Sequence, residues 1–190
     1  MRGYGFFSSI RLVANLILTK IFYRKARLVR HPFYIRGREF ISFGFGFTTG
    51  VNCRIESFNS GKILIGNNVQ INDNVHIGCA QSIKIGDNVL IASKVFITDH
   101  NHGDYSGDYP SSPLTPPSQR PLSLKSIAIG NNVWIGEFVS VLPGVEIGEG
   151  SIIGANSVVS KSIPPNSICA GVPARVIKTY NFETNRWERS

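Results

Sequence analysis

Residues 129–164 read IGNNVWIGEFVSVLPGVEIGEGSIIGANSVVSKSIP, and one pattern recurs in them at every sixth position. An aliphatic residue opens each unit, namely Ile129, Ile135, Val141, Ile147, Ile153 and Val159. Glycine follows it in four of the six units, and Val, Ser or Ile stands four positions after it. This period fits neither a helix of about 3.6 residues per turn nor an alternating strand with a period of two. We therefore interpret the stretch as the internal repeat of a solenoid.

The repeat predicts a triangular parallel β-helix in which three hexapeptides form one coil. Aliphatic side chains would point inward and stack on their counterparts in the next coil, while glycine and asparagine turn the corners. The same pattern occurs upstream, so three inward ladders are expected: Ile65/Ile85/Ile129/Ile147, Ile71/Ile91/Ile135/Ile153 and Ile77/Ile97/Val141/Val159. Phe47 and Cys53, eighteen residues before Ile65 and Ile71, are predicted to form a degraded first coil. In all, we expect about four and a half coils, stacked about 4.8 Å apart.

Two interruptions of the period are visible. The step from Ile77 to Ile85 is eight residues, so two residues should bulge there. Residues 98–126 leave the repeat and contain five prolines, which exclude a helix or a central strand. A protruding loop is expected, with His100 at its base. The predicted organisation is a basic N-terminal arm over residues 1–40, a β-helix over 41–177 with the loop insertion at 98–126, and a C-terminal tail over 178–190.

Positive charge is concentrated in the N-terminal arm. Residues 1–40 hold nine Lys and Arg and one acid, and the remainder holds eleven of each sign, so the arm carries the whole net charge of +8. A serine-capped helix is predicted from Ile10 to about Arg27. Its apolar part is shorter than the roughly 20 residues that span a bilayer, and no signal-peptide cleavage site follows.

Two interpretations of the arm remain open. It caps the β-helix or contacts another subunit, or residues 1–30 lie in the interface of an anionic membrane. Nucleic-acid binding would also explain a basic segment, but nothing else in the sequence supports it. Cys53, Cys79 and Cys169 are odd in number and lack metal-site spacing, so we expect buried, reduced thiols in a cytoplasmic protein. If residues 1–30 bind a membrane, the protein is expected to lie peripherally on the cytoplasmic face of the inner membrane.

The repeat resembles the hexapeptide-repeat acyltransferases, which are left-handed parallel β-helices, and is most similar to the maltose, galactoside and polysaccharide O-acetyltransferases. The resemblance covers about residues 47–178. It is most specific in NNVWIG (residues 131–136) and IPPNSICAGVPARVI (residues 163–177). It implies transfer of an acetyl group from acetyl-CoA to a sugar hydroxyl of a surface polysaccharide such as O-antigen or capsule. It also implies a homotrimer with active sites between subunits, and no metal.

The resemblance further implies which residues act. Histidine suits a general base because its ordinary pKa of about 6.5 lies near working pH. His100 matches the position of the family's base, and the backbone N–H of Glu137 that of the oxyanion donor. The expected acceptor contacts are Asn72, Asn74 and His102. The expected coenzyme A contacts are Trp134, Ala155, Ser160, Lys161, Arg175 and Lys178.

Other functions are weighed against this one. A zinc hydratase similar to the γ-class carbonic anhydrases would need His76, His100 and His102, whose last two members are closer in sequence than that family requires. A non-catalytic scaffold would have no use for a histidine at the loop junction. Of the remaining positions, His31 is expected to be structural and His76 to lie on the outer wall. The basic arm and proline-rich loop favour a large glycan or a lipid-linked oligosaccharide over a small free sugar.

Overall fold

The computed structural model describes residues 5–189, which form an N-terminal helix followed by a parallel β-helix. Helix α1 spans Phe6–Phe22. Our prediction of a serine-capped helix from Ile10 to Arg27 is wrong at both ends. Gly5 precedes the helix without a side-chain cap, and the chain leaves it at Tyr23. No helix in residues 5–189 is long and apolar enough to cross a membrane.

Three sheets of stacked strands form the three faces of the β-helix. Face 1 contains β3 (Thr48–Thr49), β6 (Gln70–Ile71), β9 (Leu90–Ile91), β14 (Trp134–Ile135), β17 (Ile152–Ile153), β19 (Ser167–Ala170), β20 (Arg175–Asn181) and β21 (Arg186–Arg189). Face 2 contains β1 (Phe33–Arg36), β4 (Cys53–Ser57), β7 (His76–Cys79), β10 (Phe96–Thr98), β15 (Ser140–Val141) and β18 (Val158–Val159). Face 3 contains β2 (Ile41–Phe43), β5 (Lys62–Ile65), β8 (Ser82–Ile85), β13 (Ile127–Ile129) and β16 (Glu146–Ile147).

The three predicted ladders are confirmed. Ile65 is in register with Ile85, Ile85 with Ile129, and Ile129 with Ile147. The other two ladders follow the predicted order in the same way. All twelve side chains are at most 4% exposed. Because burying one aliphatic side chain contributes about 1.5–3 kcal/mol, these ladders are the main source of stability.

The first coil has a different register from the one predicted. The partner of Ile65 is Phe43 and not Phe47. The four-residue offset arises because the chain bulges before β5, where Asn59 and Ser60 have φ values of 49° and 63°. Such bulges follow no period, so counting back from the regular coils gives the wrong residue.

The second residue assigned to that coil, Cys53, is displaced in the same way. Thr49 takes its predicted place opposite Ile71. The Cys53 thiol is buried and donates to the carbonyl oxygen of Asn72, with a sulfur–oxygen distance of 2.9 Å. Cys79 and Cys169 are also free and buried.

The β-helix extends beyond its predicted bounds. Leu28 bridges to Thr48 and β1 pairs with β4, so residues 28–40 of the predicted arm belong to the first coil. Face 2 consequently has six strands, which makes about six coils rather than four and a half. At the other end, β20 and β21 form an antiparallel extension of face 1 where we predicted a tail.

Candidate active site at the loop junction

A buried carboxylate lies at the base of the loop. Asp99 stands between β10 and the short strand β11 (His100–His102), and it is fully buried. It accepts hydrogen bonds from the backbone amides of Ala80, Gln81 and Ser82 at 2.7, 2.8 and 2.8 Å. The thiol of Cys79 donates to the same carboxylate at 3.2 Å. These donors lie in the eight-residue step where the sequence predicts a bulge.

The hydrogen bonds keep Asp99 ionised. Burial alone would raise the pKa of Asp99, but the amides of Ala80 and Gln81, followed by the Cys79 and His100 side chains, favour the charged form and hold the pKa below its ordinary value. Burial and then the adjacent carboxylate raise the pKa of the Cys79 thiol to about 12. The thiol therefore remains a donor at neutral pH.

Asp99 in turn orients His100, the first residue of β11. The imidazole Nδ1 lies 3.1 Å from Asp99 Oδ1 and 3.2 Å from Thr98 Oγ1. Next to an ionised carboxylate, Nδ1 carries the proton, so in the neutral ring Nε2 is the basic nitrogen. No hydrogen bond to Nε2 is present within residues 5–189. The His100 side chain is 17% exposed, so it is held firmly but remains accessible.

Hydrogen bonds within the loop hold together the segment that follows His100. Strand β11 pairs antiparallel with β12 (Leu122–Leu124) at its base. Farther out, the Arg120 guanidinium donates to the Tyr105 hydroxyl at 2.7 Å and to the Thr115 carbonyl oxygen at 2.8 Å. The Tyr105 hydroxyl donates to the carbonyl oxygen of His102, whose side chain is exposed. His102 is therefore available to a ligand, though it lacks the buried support that His100 has.

A second buried carboxylate, which sequence reasoning missed, lies on face 2 and contacts His76. Glu56 is 5% exposed and contacts Arg54 Nε at 2.6 Å and His76 Nε2 at 3.2 Å. Burial alone would raise the pKa of Glu56, but Arg54 and then His76 outweigh it and lower the pKa. A Cβ placed on Gly78 would lie 3.7 Å from His100 Cε1 and 3.8 Å from His76 Nε2, so this glycine keeps the space between the two rings open. His76 lies on the outer wall, half-exposed, as predicted.

An aromatic ring extends the same surface. Phe58 packs edge-on against His100 with ring centroids 5.8 Å apart. The Arg36 guanidinium lies 5.0 Å from the centroid of Phe58. The surface next to His100 thus combines an aromatic face with the hydrogen-bonding groups of His76 and of nearby arginines, which suits a sugar.

The predicted oxyanion donor lies at a different corner, between faces 1 and 2. At the equivalent place in an earlier coil, Asp73 Oδ1 accepts a hydrogen bond from the amide of Val51 at 2.8 Å. Ala155 occupies that place relative to Glu137, and alanine has no side-chain acceptor. No residue within 5–189 accepts a hydrogen bond from the Glu137 amide. The amide is therefore unpaired and able to bind an oxyanion.

The candidate residues fall into two groups on one chain. The corner between faces 2 and 3 carries His100, Ser160 and Lys161. Face 1 and the corner between faces 1 and 2 carry Trp134, Glu137, Ala155, Asn72 and Asn74. The width of face 2, roughly 15 Å, separates the two corners. A single chain therefore does not bring His100 and Glu137 together.

The remaining predicted residues are distributed as follows. Trp134 is 49% exposed on the outer side of β14. Arg175 and Lys178 lie on β20, opposite Ala170 and Ile168 of β19. Asn74 has a φ of 59°, which accounts for an asparagine at that corner without any ligand.

The histidines do not form a metal site within one chain. The rings of His100 and His102 are 6.4 Å apart, and His76 is paired with Glu56. Residues 5–189 contain no group of three or more His, Cys, Asp or Glu side chains that could hold a metal ion. His31 contributes its backbone to the contact with α1, where its amide donates to Asn15 Oδ1 at 3.2 Å.

Comparisons with known proteins identify the family. Residues 126–161 match the family model described as bacterial transferase hexapeptide (six repeats). The chain is 52% identical over 190 residues, all of its length and 97% of the relative's, to the Escherichia coli (strain K12) protein named "Putative lipopolysaccharide biosynthesis O-acetyl transferase WbbJ". It is 40% identical over 160 residues, 80% of its length and 72% of the relative's, to the galactoside O-acetyltransferase of the same strain.

A solved structure adds a likeness in three dimensions. A variant of AntD, an N-acyltransferase from Bacillus cereus in complex with dTDP-4-amino-4,6-dideoxyglucose and coenzyme A, superposes with a TM-score of 0.72. The identity is 26%, and the superposition covers 88% of this chain and 90% of that one. Together with full-length similarity to WbbJ, this likeness shows that the chain belongs to the hexapeptide-repeat transferase family.

Proposed function

We propose that this protein transfers an acetyl group from acetyl-CoA to a sugar hydroxyl in the biosynthesis of lipopolysaccharide or another surface polysaccharide. The observation that carries the proposal is the Asp99–His100 pair at the loop junction. A hydroxyl is a poor nucleophile until a base takes its proton, and this pair presents a basic Nε2 at an accessible place. The two O-acetyltransferases among the relatives support the same acyl group and acceptor atom.

The chain's residues would divide the reaction as follows. His100 Nε2 removes the proton from the hydroxyl while its oxygen attacks the thioester carbonyl carbon. The Glu137 N–H stabilises the oxyanion that develops on the carbonyl oxygen. As the carbon–sulfur bond breaks, His100 returns the proton to the departing sulfur of coenzyme A. Asp99 stabilises the imidazolium between the two proton transfers, as the carboxylate does in catalytic triads.

The acceptor would bind along face 2 next to His100. Phe58 offers an aromatic face to a sugar ring, and Arg54 and His76, both held by the buried Glu56, offer hydrogen-bonding groups. The surface continues over neighbouring coils, which suits a glycan of several residues better than a single sugar. His102 and the two corner asparagines, Asn72 and Asn74, are the further acceptor contacts that the family resemblance suggests.

Coenzyme A would contact both corners, the one that carries His100 and the one that carries Glu137. Trp134, Ala155 and Ser160 are the proposed neighbours of the pantetheine arm. Lys161, Arg175 and Lys178 are the proposed neighbours of the nucleotide phosphates, whose negative charge they would offset. AntD, with which this chain shares its fold, is complexed with coenzyme A.

We also propose that the working enzyme is a homotrimer with a site between each pair of subunits. The support is the distance between His100 and Glu137 in one chain, because both must contact the same thioester. Side-by-side packing would place the His100 corner of one subunit against the Glu137 corner of the next, in a closed cyclic arrangement.

Mixing two inactive variants tests the shared site. His100→Ala lacks the base, and Ala155→Trp blocks the other corner. If the site is shared, trimers reassembled from equal amounts should regain activity at about a quarter of their sites. Mixtures that remain as inactive as the separate variants would show that each chain carries a complete site.

The acetyl-transfer proposal is tested with purified protein, acetyl-CoA and a panel of free and lipid-linked glycans. We expect release of the coenzyme A thiol together with an ester-linked acetyl group on a glycan, detected by mass spectrometry and removed by mild base. An amide-linked product, or no acceptor-dependent thiol release across the panel, would contradict the proposal.

A further inference from the structure

Helix α1 is amphipathic, but its polar side faces the protein. Its two buried residues are Asn15 and Thr19. Thr19 Oγ1 accepts a hydrogen bond from the Val29 amide at 2.8 Å and donates to the Asn15 carbonyl oxygen at 2.6 Å. The Arg11 guanidinium donates to the His31 carbonyl oxygen at 2.6 Å. These bonds fix the rotation of the helix about its own axis.

Five apolar side chains form a stripe on the opposite side. Their spacing of three or four residues places them along one line of the helix surface. With exposed fractions from 46% to 75%, they are Phe6, Ile10, Val13, Ile17 and Ile21. At about 100° per residue, Ile17 lies roughly 200° around the helix from the buried Asn15. A helix that turns such an apolar stripe outward marks an interaction surface.

Unpaired positive charge adjoins this apolar stripe. Lys20 lies within the last turn of α1, and Arg24, Lys25 and Arg27 come shortly after the end of the helix. All four residues are exposed. The ion pairs within residues 5–189 join Arg54 or His76 to Glu56 and His100 to Asp99, so none involves these four cations. The exposed ring of Phe45 lies at the same end, 5.6 Å from Lys25 Nζ.

We propose that α1 lies flat on an anionic membrane. The apolar stripe would enter the boundary between headgroups and acyl chains, and the basic residues would contact the lipid phosphates. The helix has 17 residues, so it offers about 26 Å of apolar length parallel to the surface. This binding is independent of the acetyl-transfer chemistry, but it would hold the enzyme where lipid-linked glycans are made.

Charge decides between a membrane and a second copy of the chain. If two apolar stripes paired with the helices parallel, the basic ends would meet and repel each other. If they paired antiparallel, each basic end would face the first turns of the other helix, and α1 has no acid there to offset the charge. An anionic bilayer covers the apolar stripe and neutralises the cations together, so it is the occupant that fits both features.

Vesicle flotation tests the proposal. Full-length protein should bind vesicles of phosphatidylcholine and phosphatidylglycerol more tightly than vesicles of phosphatidylcholine alone. High salt should weaken the binding without abolishing it, because salt screens charges but not apolar burial. Ile10→Asp combined with Ile17→Asp should lower the partition coefficient at least about tenfold. Lys20→Gln and Lys25→Gln should each lower it roughly fivefold at low salt and leave a weaker salt dependence.

Leu114→Asp is the matched control, since Leu114 is 93% exposed but lies in the loop. This variant should bind vesicles like the wild type. The sedimentation coefficient should be the same for the wild type and for the Ile10/Ile17 variant. Vesicle binding that survives both the aspartate and the glutamine substitutions would overturn the proposal. So would a change of oligomeric state in the aspartate variant, which would make the apolar stripe a subunit contact.

Discussion

Replacing Asp99 by asparagine should damage the enzyme in two measurable ways. Asparagine keeps the size of the side chain and one carbonyl oxygen. If that oxygen stays where it accepts from Gln81 and Ser82, the new amide nitrogen faces the Ala80 N–H. In the wild type the Ala80 nitrogen lies 2.7 Å from a carboxylate oxygen and donates to it. One buried N–H left unpaired costs about 1–3 kcal/mol. In a chain of this size that lowers Tm by roughly 2–12 °C.

The catalytic effect should be larger than the loss of stability. The asparagine nitrogen donates a proton, so Nδ1 of His100 must accept, and the ring proton moves to Nε2. A protonated Nε2 cannot take the hydroxyl proton, and turnover should fall by roughly 10²–10⁴-fold, which is the usual contribution of a positioned base. The dissociation constant for coenzyme A should not change, because Asp99 is buried beneath His100.

Thermal unfolding, steady-state kinetics and calorimetric titration with coenzyme A separate the two effects. Asp108→Asn is the control, since Asp108 is an exposed carboxylate in the same loop. It should match the wild type in all three measurements. Wild-type turnover in Asp99→Asn, measured well below its Tm, would refute the role we assign to the carboxylate.

Three further predictions concern the coenzyme A contacts, the core ladders and the pH dependence of stability. Lys161→Ala combined with Arg175→Ala should raise KM for acetyl-CoA and leave KM for acetyl-pantetheine unchanged, because only the former carries nucleotide phosphates; equal changes would remove these residues from the phosphate site. Ile135→Ala should cost about 2–5 kcal/mol in denaturant unfolding, since it opens a cavity in a central ladder, whereas Leu90→Ala on the outer side should cost much less. Because its pKa is lowered, Asp99 should add stability above about pH 4 and lose it as pH falls through its folded-state pKa, so wild type and Asp99→Asn should converge in acid.

The fold was predictable wherever the hexapeptide period is unbroken. The place of each ladder residue, such as Ile135, follows from the number of residues that separate it from the next, so the register of the central coils could be counted from the sequence. Prediction failed before β5, because the bulge at Asn59 and Ser60 shifts the count by four residues. It failed again after Tyr23, where we extended the helix to about Arg27 but the chain already enters the first coil.

The site was predictable only in part. His100 was expected at the loop junction, and the acidic residue directly before it was an available signal for Asp99. What the sequence could not show is that backbone amides 17 to 19 residues earlier converge on that carboxylate. Glu56 contacts His76 only because two coils stack in parallel, which brings together residues 20 apart in sequence, so no short-range motif reveals it.

The orientation of α1 also required the structure. Apolar and basic residues in the arm left a cap, a subunit contact and a membrane contact open. Asn15 and Thr19 look unremarkable in sequence, yet their hydrogen bonds to the chain around Val29 turn the apolar stripe away from the protein.

The central claim is that His100 is the general base of acetyl transfer. The most direct test measures turnover of acetyl-CoA with an identified glycan acceptor for the wild type, His100→Ala and His102→Ala, each with its coenzyme A affinity. We predict a loss of roughly 10²–10⁴-fold for His100→Ala, a much smaller loss for His102→Ala, and unchanged coenzyme A affinity in both. Full activity in His100→Ala, or equal losses in the two variants, would contradict the account.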